Sequence, residues 1–161
     1  MVRSVKKIRN SEALEDIFGY WPSFHDAEVV EVRLDRGDSL APDGGPRKPT
    51  LEADTHVFEM TDQVTEQGFY AQRKHTLATF AFRGIDELQL DGFNHQNVLF
   101  GLELEDISDR QLEVLKWRVS FDSSFGLAAT FMCEEIEVVR AVPFDPSAHI
   151  AGTQQPPSPA P

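Results

Sequence analysis

FGYWPSFHDAEVVEVRLDR, residues 18–36, changes its period halfway along. Up to Phe18 the apolar residues fall at helical spacing, as Leu14, Ile17 and Phe18, and Asn10 or Ser11 can cap that short helix. Gly19 suits the left-handed position that closes a helix, and Pro22 drives Trp21 toward an extended backbone. From His25 the period is two. Val30, Val32 and Leu34 share one face of a strand, while Glu31, Arg33 and Asp35 share the other. A short helix therefore hands over directly to a half-buried strand.

The alternation recurs downstream. Leu51, Ala53, Thr55 and Val57 alternate with Glu52, Asp54 and His56 in a second strand over 50–60, and Thr76, Ala78, Phe80 and Phe82 line a third. A short strand follows over Glu87–Asp91. In the next, Val98, Phe100, Leu102 and Leu104 face one way and Glu103 and Glu105 the other. Leu115, Trp117, Val119 and Phe121 oppose Lys116, Arg118 and Ser120. Leu127, Ala129, Phe131 and Cys133 form the return strand, Glu134-Glu135 reads as a bulge, and 136–142 continues as a strand. Residues 37–49, rich in Gly, Pro and Asp, read as a mobile loop, and 61–68 as a turn or loop. With no βαβα rhythm, the fold expected is α+β and mainly β: a strongly curved antiparallel sheet with one short N-terminal helix. The domain limits expected are a loosely ordered basic arm over 1–9, a single domain over 10–144, and a Pro-rich disordered tail over 145–161.

Twenty-seven acidic residues against fifteen basic ones give a formal charge of −12. A field of that sign disfavours nucleic acid and anionic membranes as partners and speeds encounter with a basic protein, although it also simply keeps a protein soluble. No run approaches the ~20 apolar residues of a spanning helix. The N-terminus lacks an apolar h-region, so no signal peptide is expected. Cys133 is the only cysteine, which rules out an internal disulfide and makes the cytoplasm the expected compartment.

Four groups are candidates for function. His25, Asp26 and Glu28 combine an imidazole with two carboxylates, as a metal-binding or metal-dependent hydrolytic site would. On an extended backbone Asp26 and Glu28 share a face and His25 takes the other, so His56 or His95 would have to complete a ligand set. Tyr20, Trp21 and Phe24 read either as a core plug or as an anchor for a partner. The loop Gly92–Asn97, GFNHQN, can brace itself through side-chain hydrogen bonds or present recognition groups. Glu103, Glu105, Asp106 and Asp109 form the densest acidic run, a candidate docking face, with Glu134, Glu135 and Glu137 a second. Cys133, on the apolar side of its strand, reads as buried and inert. No phosphate-cradling loop, GxSxG, HExxH or paired CxxC is present, so no catalytic residue and no cofactor are assigned.

The run FGYWPSFHDAEV followed by a strand resembles the signature of the immunity protein 50 family, bacterial proteins of polymorphic toxin systems. LDGFNHQNVLFGLELE and WRVSFDSSFGLAATFMCEEIEV resemble later stretches of the same family, and together the three span most of 14–142. The residues matching the motif are Trp21, Pro22, Phe24, His25, Asp26 and Glu28. The resemblance implies a protein that binds a cognate toxin and neutralises it, with no enzymatic role. The acidic surface suits a basic toxin such as a nuclease.

Overall fold

The computed structural model describes residues 2–38 and 47–147, without the side chains of Val2 and Arg3. The middle of the 37–49 loop and the tail beyond Ser147 lie outside the described residues. A 3-10 helix, Val2–Lys7, leads into helix α1, Glu12–Phe18. The strands are β1 (Glu28–Asp35), β2 (Thr50–Val64), β3 (Tyr70–Arg83), β4 (Asp86–Asp91), β5 (Val98–Asp106), β6 (Trp117–Phe125), β7 (Ala128–Cys133) and β8 (Glu135–Pro143). All eight form one antiparallel sheet that is not closed, in the order β4-β7-β6-β5-β1-β2-β3-β8. The mainly-β reading holds. No helix among the described residues is long and apolar enough to cross a membrane.

Helix α1 ends as its sequence requires. Gly19 adopts φ 84° and returns its N–H to the Glu15 carbonyl. The start differs from expectation: Ser11 occupies the cap position without a side-chain cap bond, and Asn10 sends its Nδ2 to the Val138 carbonyl at 2.8 Å. The arm expected to be loosely ordered is docked. Val5 and Ile8 are buried, Lys7 pairs with Asp106 at 2.5 Å, and Arg9 exchanges backbone bonds with Ile136 and Val138, each at 2.9 Å. Buried apolar side chains, backbone bonds and ion pairs together hold a segment that charge alone suggested was free.

The β2–β3 hairpin is longer than its periodicity showed. Residues 61–64 continue β2, and Tyr70 to His75 begin β3, so only the tip around Gly68 turns. Val64, Phe69 and Tyr70 there are exposed. With no core against this end, its alternation is weak in the sequence.

The sheet has two halves, β4-β7-β6-β5 and β1-β2-β3-β8, joined at the β1–β5 seam by the single register pair Glu28↔Val98. Both seam strands shift register there, β1 between Val29 and Glu31 and β5 between Leu99 and Gly101. Such a shift moves every later side chain to the opposite face. Val29 and Leu99, ahead of these shifts, are therefore buried, and Phe100, the extra residue of the β5 bulge and expected inside, stands exposed at 63%. Leu34 keeps the face expected of it, opposite buried Leu51, yet is 57% exposed near the end of β1. The break at Glu134 is not a bulge. There the chain passes from β7, in one half, to β8, in the other, and Gly84-Ile85 makes the same passage from β3 to β4. At Gly84 (φ 69°) a Cβ would lie 2.1 Å from a Glu134 carboxylate oxygen.

Phe82 on β3 and Phe131 on β7 are five places apart in the strand order. In a flat sheet that is about 24 Å. Their ring centroids lie 5.1 Å apart. The apolar faces of the two halves thus meet in one core, which Phe80, Phe121, Val119 and Ile136 fill and α1 closes through Leu14 and Phe18.

Cys133 is fully buried there, and burial pushes its thiol up to about 12. A thiol-reactive chromophore at mildly alkaline pH is expected to leave the folded protein unlabelled and to label it fully in denaturant. Rapid labelling without denaturant would mean that β7 opens.

Candidate functional site

The conspicuous segment Tyr20–Ala27 runs beside β5 just before β1 begins. Phe24 and Pro22 are buried, and Trp21 is half-buried. Trp21, Phe24 and Phe80 form a triangle of ring contacts with centroids 5.7–6.2 Å apart. Edge-to-face packing of this kind fixes ring orientation as well as burying area. The core-plug reading thus describes most of their surface, and Tyr20 alone of the cluster is exposed, its hydroxyl donating to Glu59 at 2.5 Å.

Near the seam the segment pairs with β5. Asp26 N–H donates to the Leu99 carbonyl and Leu99 N–H to the Ala27 carbonyl, at 2.9 and 2.8 Å. Asp26 then takes φ 68°, a left-handed conformation that aspartate tolerates better than most residues. The kink ends the pairing, and Ser23, Pro22 and Trp21 run apart from β5. Between them opens a slot of about 520 Å³, lined by Tyr20–His25 on one side, Phe100–Leu104 on the other, and Trp117, Val5 and Ile8 deeper in.

The kink also decides the fate of the His-Asp-x-Glu group. Asp26 is not extended, so the same-face argument for Asp26 and Glu28 fails. His25 Nδ1 lies 3.2 Å from Asp26 Oδ2, and the imidazole packs edge-on against Phe100 at 5.2 Å. Glu28 lies beyond the kink on β1, in register with His56. Among the described residues no three His, Cys, Asp or Glu side chains are grouped to hold a metal. His56 pairs instead with His75, Nε2 to Nδ1 at 2.8 Å, and His95 sits on Asn94.

The GFNHQN loop braces the seam through Asn97, which is buried. Its Oδ1 accepts from the N–H groups of Asn94 and Leu127 at 2.9 and 3.1 Å, and its Nδ2 donates to the carbonyls of Val29 and Asn94 at 3.2 and 2.9 Å. One side chain thus ties β1, the loop and the start of β7. Gly126 lies against it, and a Cβ there would come within 2.3 Å of the Gln96 carbonyl.

The acidic run divides by partner. Asp106 faces Lys7 and Ser108, which hold its carboxyl at about 2, well below the usual range. Glu105 pairs with Arg110 at 2.7 Å, and Asp109 is exposed in the 3-10 helix Ser108–Arg110. Glu103 stands on the rim of the slot among like charges. Asp122 first, and Glu105 more weakly, raise its carboxyl above the ordinary value. The second run is occupied internally: Glu134 by Lys48, Glu135 by Arg9, and Glu137 by Arg83. Phe100 and Asp122 escaped the sequence reading. The first depends on a bulge and the second on cross-strand register, and neither leaves a local signal.

An aromatic slot with an acidic rim thus lies beside a seam that a buried asparagine ties together. The family model described as Immunity protein 50 matches residues 10–144, and this chain belongs to that family. No match was found among curated proteins or among solved structures.

Proposed function

We propose that this chain binds a toxin protein and neutralises it, protecting the cell that produces both. The family match over residues 10–144 carries the reading. The surface supports it: a formal charge of −12 and a carboxylate pair at Glu103 and Asp122 suit a basic toxin such as a nuclease. On this reading the chain acts in the cytoplasm by occupying the toxin, as a rigid scaffold with no chemistry of its own. Strong curvature of the sheet is part of it, supported by the ring contact between Phe82 and Phe131.

Co-expression with the toxin encoded by the neighbouring gene is expected to restore growth that the toxin alone abolishes. A neighbouring product that is harmless, or a lethal one the chain does not relieve, would remove the proposal. Reversing charge at Glu103 and Glu105 is expected to slow association about tenfold at low salt and far less at high salt, since steering by surface charge is screened. Equal rates at both salt concentrations would show that this face does not steer.

A further inference from the structure

The slot has one wall unlike the rest of the molecule. β5 pairs with β6 along its whole length, but on its other side pairing stops at Leu99. Among the described residues, no group makes a backbone hydrogen bond to β5 on that side between Phe100 and Asp106. In a strand, alternate residues turn their N–H and C=O to each side. A stretch of unpaired donors and acceptors thus runs along the slot, inside a sheet and not at its rim. Open strand edges are templates for another chain, and proteins usually block them with charge, bulges or a covering segment. Here the segment that could cover the edge, Tyr20–His25, is turned away by the strained Asp26.

We propose that this slot receives an extended segment of the protein partner, which adds to the open edge of β5 and places an apolar side chain among Trp21, Phe24 and Phe100 and a basic one beside Glu103. The identity of the partner as the toxin rests on the function proposed above; the mode of docking does not. Three observations converge on the occupant. The unpaired edge calls for backbone and thus for an extended peptide. The lining calls for an apolar side chain, since Trp21, buried Phe24 and 63% exposed Phe100 all face it. The rim calls for a cation: Glu103 is crowded by Asp122 and Glu105, and a guanidinium or ammonium there would relieve the repulsion. A volume of about 520 Å³ suits a few residues and not a folded domain. Gly101 leaves room, since a Cβ at that position meets nothing within 4 Å.

The test titrates the purified full-length chain with three capped synthetic heptapeptides, followed by amide NMR and hydrogen exchange. One alternates valine and arginine, one alternates valine and glutamate, and one keeps the valine–arginine composition with two central prolines that cannot pair. The expected result is binding of the first alone, with exchange of amides in Phe100–Asp106 slowed about tenfold. Glu103→Lys is expected to weaken that binding about fivefold. Gly101→Leu, which puts a bulky side chain on the slot's β5 wall without backbone strain, is expected to weaken it at least tenfold. Equal binding of the proline peptide would reduce the effect to non-specific charge and overturn the proposal. Protection on β4 or at the β2–β3 tip, or failure of the first peptide to bind, would overturn it as well. The outcomes separate the two readings. Growth rescue without peptide binding sinks the slot and leaves neutralisation standing, and peptide binding without rescue does the reverse.

Discussion

Replacing Asn97 with alanine is expected to lower the unfolding free energy by about 3–5 kcal/mol, with little change in the denaturant slope. The side chain makes four hydrogen bonds, to Val29, to Leu127 and twice to Asn94. Each is worth about 1 kcal/mol net, but a buried donor left unpaired costs about 1–3 kcal/mol, and alanine strands the Leu127 N–H. The damage falls at a narrow seam, where the Glu28↔Val98 register pair is flanked by three backbone bonds, Asp26 to Leu99, Leu99 to Ala27 and Val29 to Asn97. Asn97→Asp keeps the acceptor but points a carboxylate at the Val29 and Asn94 carbonyls. Burial and those dipoles raise its folded pKa. Its deficit is therefore smallest at acid pH, below the unfolded pKa, and grows as pH rises through the folded one. Urea unfolding followed by Trp21 and Trp117 fluorescence measures both variants. A loss in Asn97→Ala below about 1 kcal/mol would show that water takes the place of the amide.

Phe82→Ala is expected to cost about 3–5 kcal/mol, the range for removing a fully buried aromatic ring. The ring is 0% exposed and meets Phe80, Phe121 and Phe131 at 5.9, 5.8 and 5.1 Å. Two of these partners belong to the other half of the sheet, so the cavity opens between the faces, where neither half can close it without moving as a whole. Phe82→Leu keeps most of the volume and is expected to lose about 1–2 kcal/mol. Calorimetry or urea unfolding distinguishes them. If the alanine variant lost no more than the leucine variant, the two faces would not rest on each other through this ring.

The strands were legible because alternation is a local property. Trp117, Val119 and Phe121 are buried where their spacing puts them, and so are Ala78, Phe80 and Phe82. The helix stop at Gly19 was legible for the same reason, since a left-handed residue is needed at one known place. Phe100 was misplaced because a bulge is decided by the partner strand: β6 supplies one residue where β5 supplies two, and nothing within VLFGLELE records it. The shared face expected for Asp26 and Glu28 failed for a related reason. Its geometry presumed an extended backbone, and Asp26 is left-handed. The acidic runs were visible as charge, but their division was not. Asp106 and Glu135 hold the N-terminal arm, while Glu103 meets the like charges of Asp122 and Glu105.

By itself the sequence determined the strand content, the aromatic plug before β1, the acidic character and, through FGYWPSFHDAEV, the family. Each depends on neighbouring residues, whose side chains a period of two or a local motif places without reference to the rest of the chain. Tertiary structure alone decided that β5 and β1 part at the seam, that Asn97 bridges them, and that an open edge lies beside Trp21 and Glu103. These follow from which strands meet and in what register, a choice made by the whole core when it closes, and no window of the chain contains it.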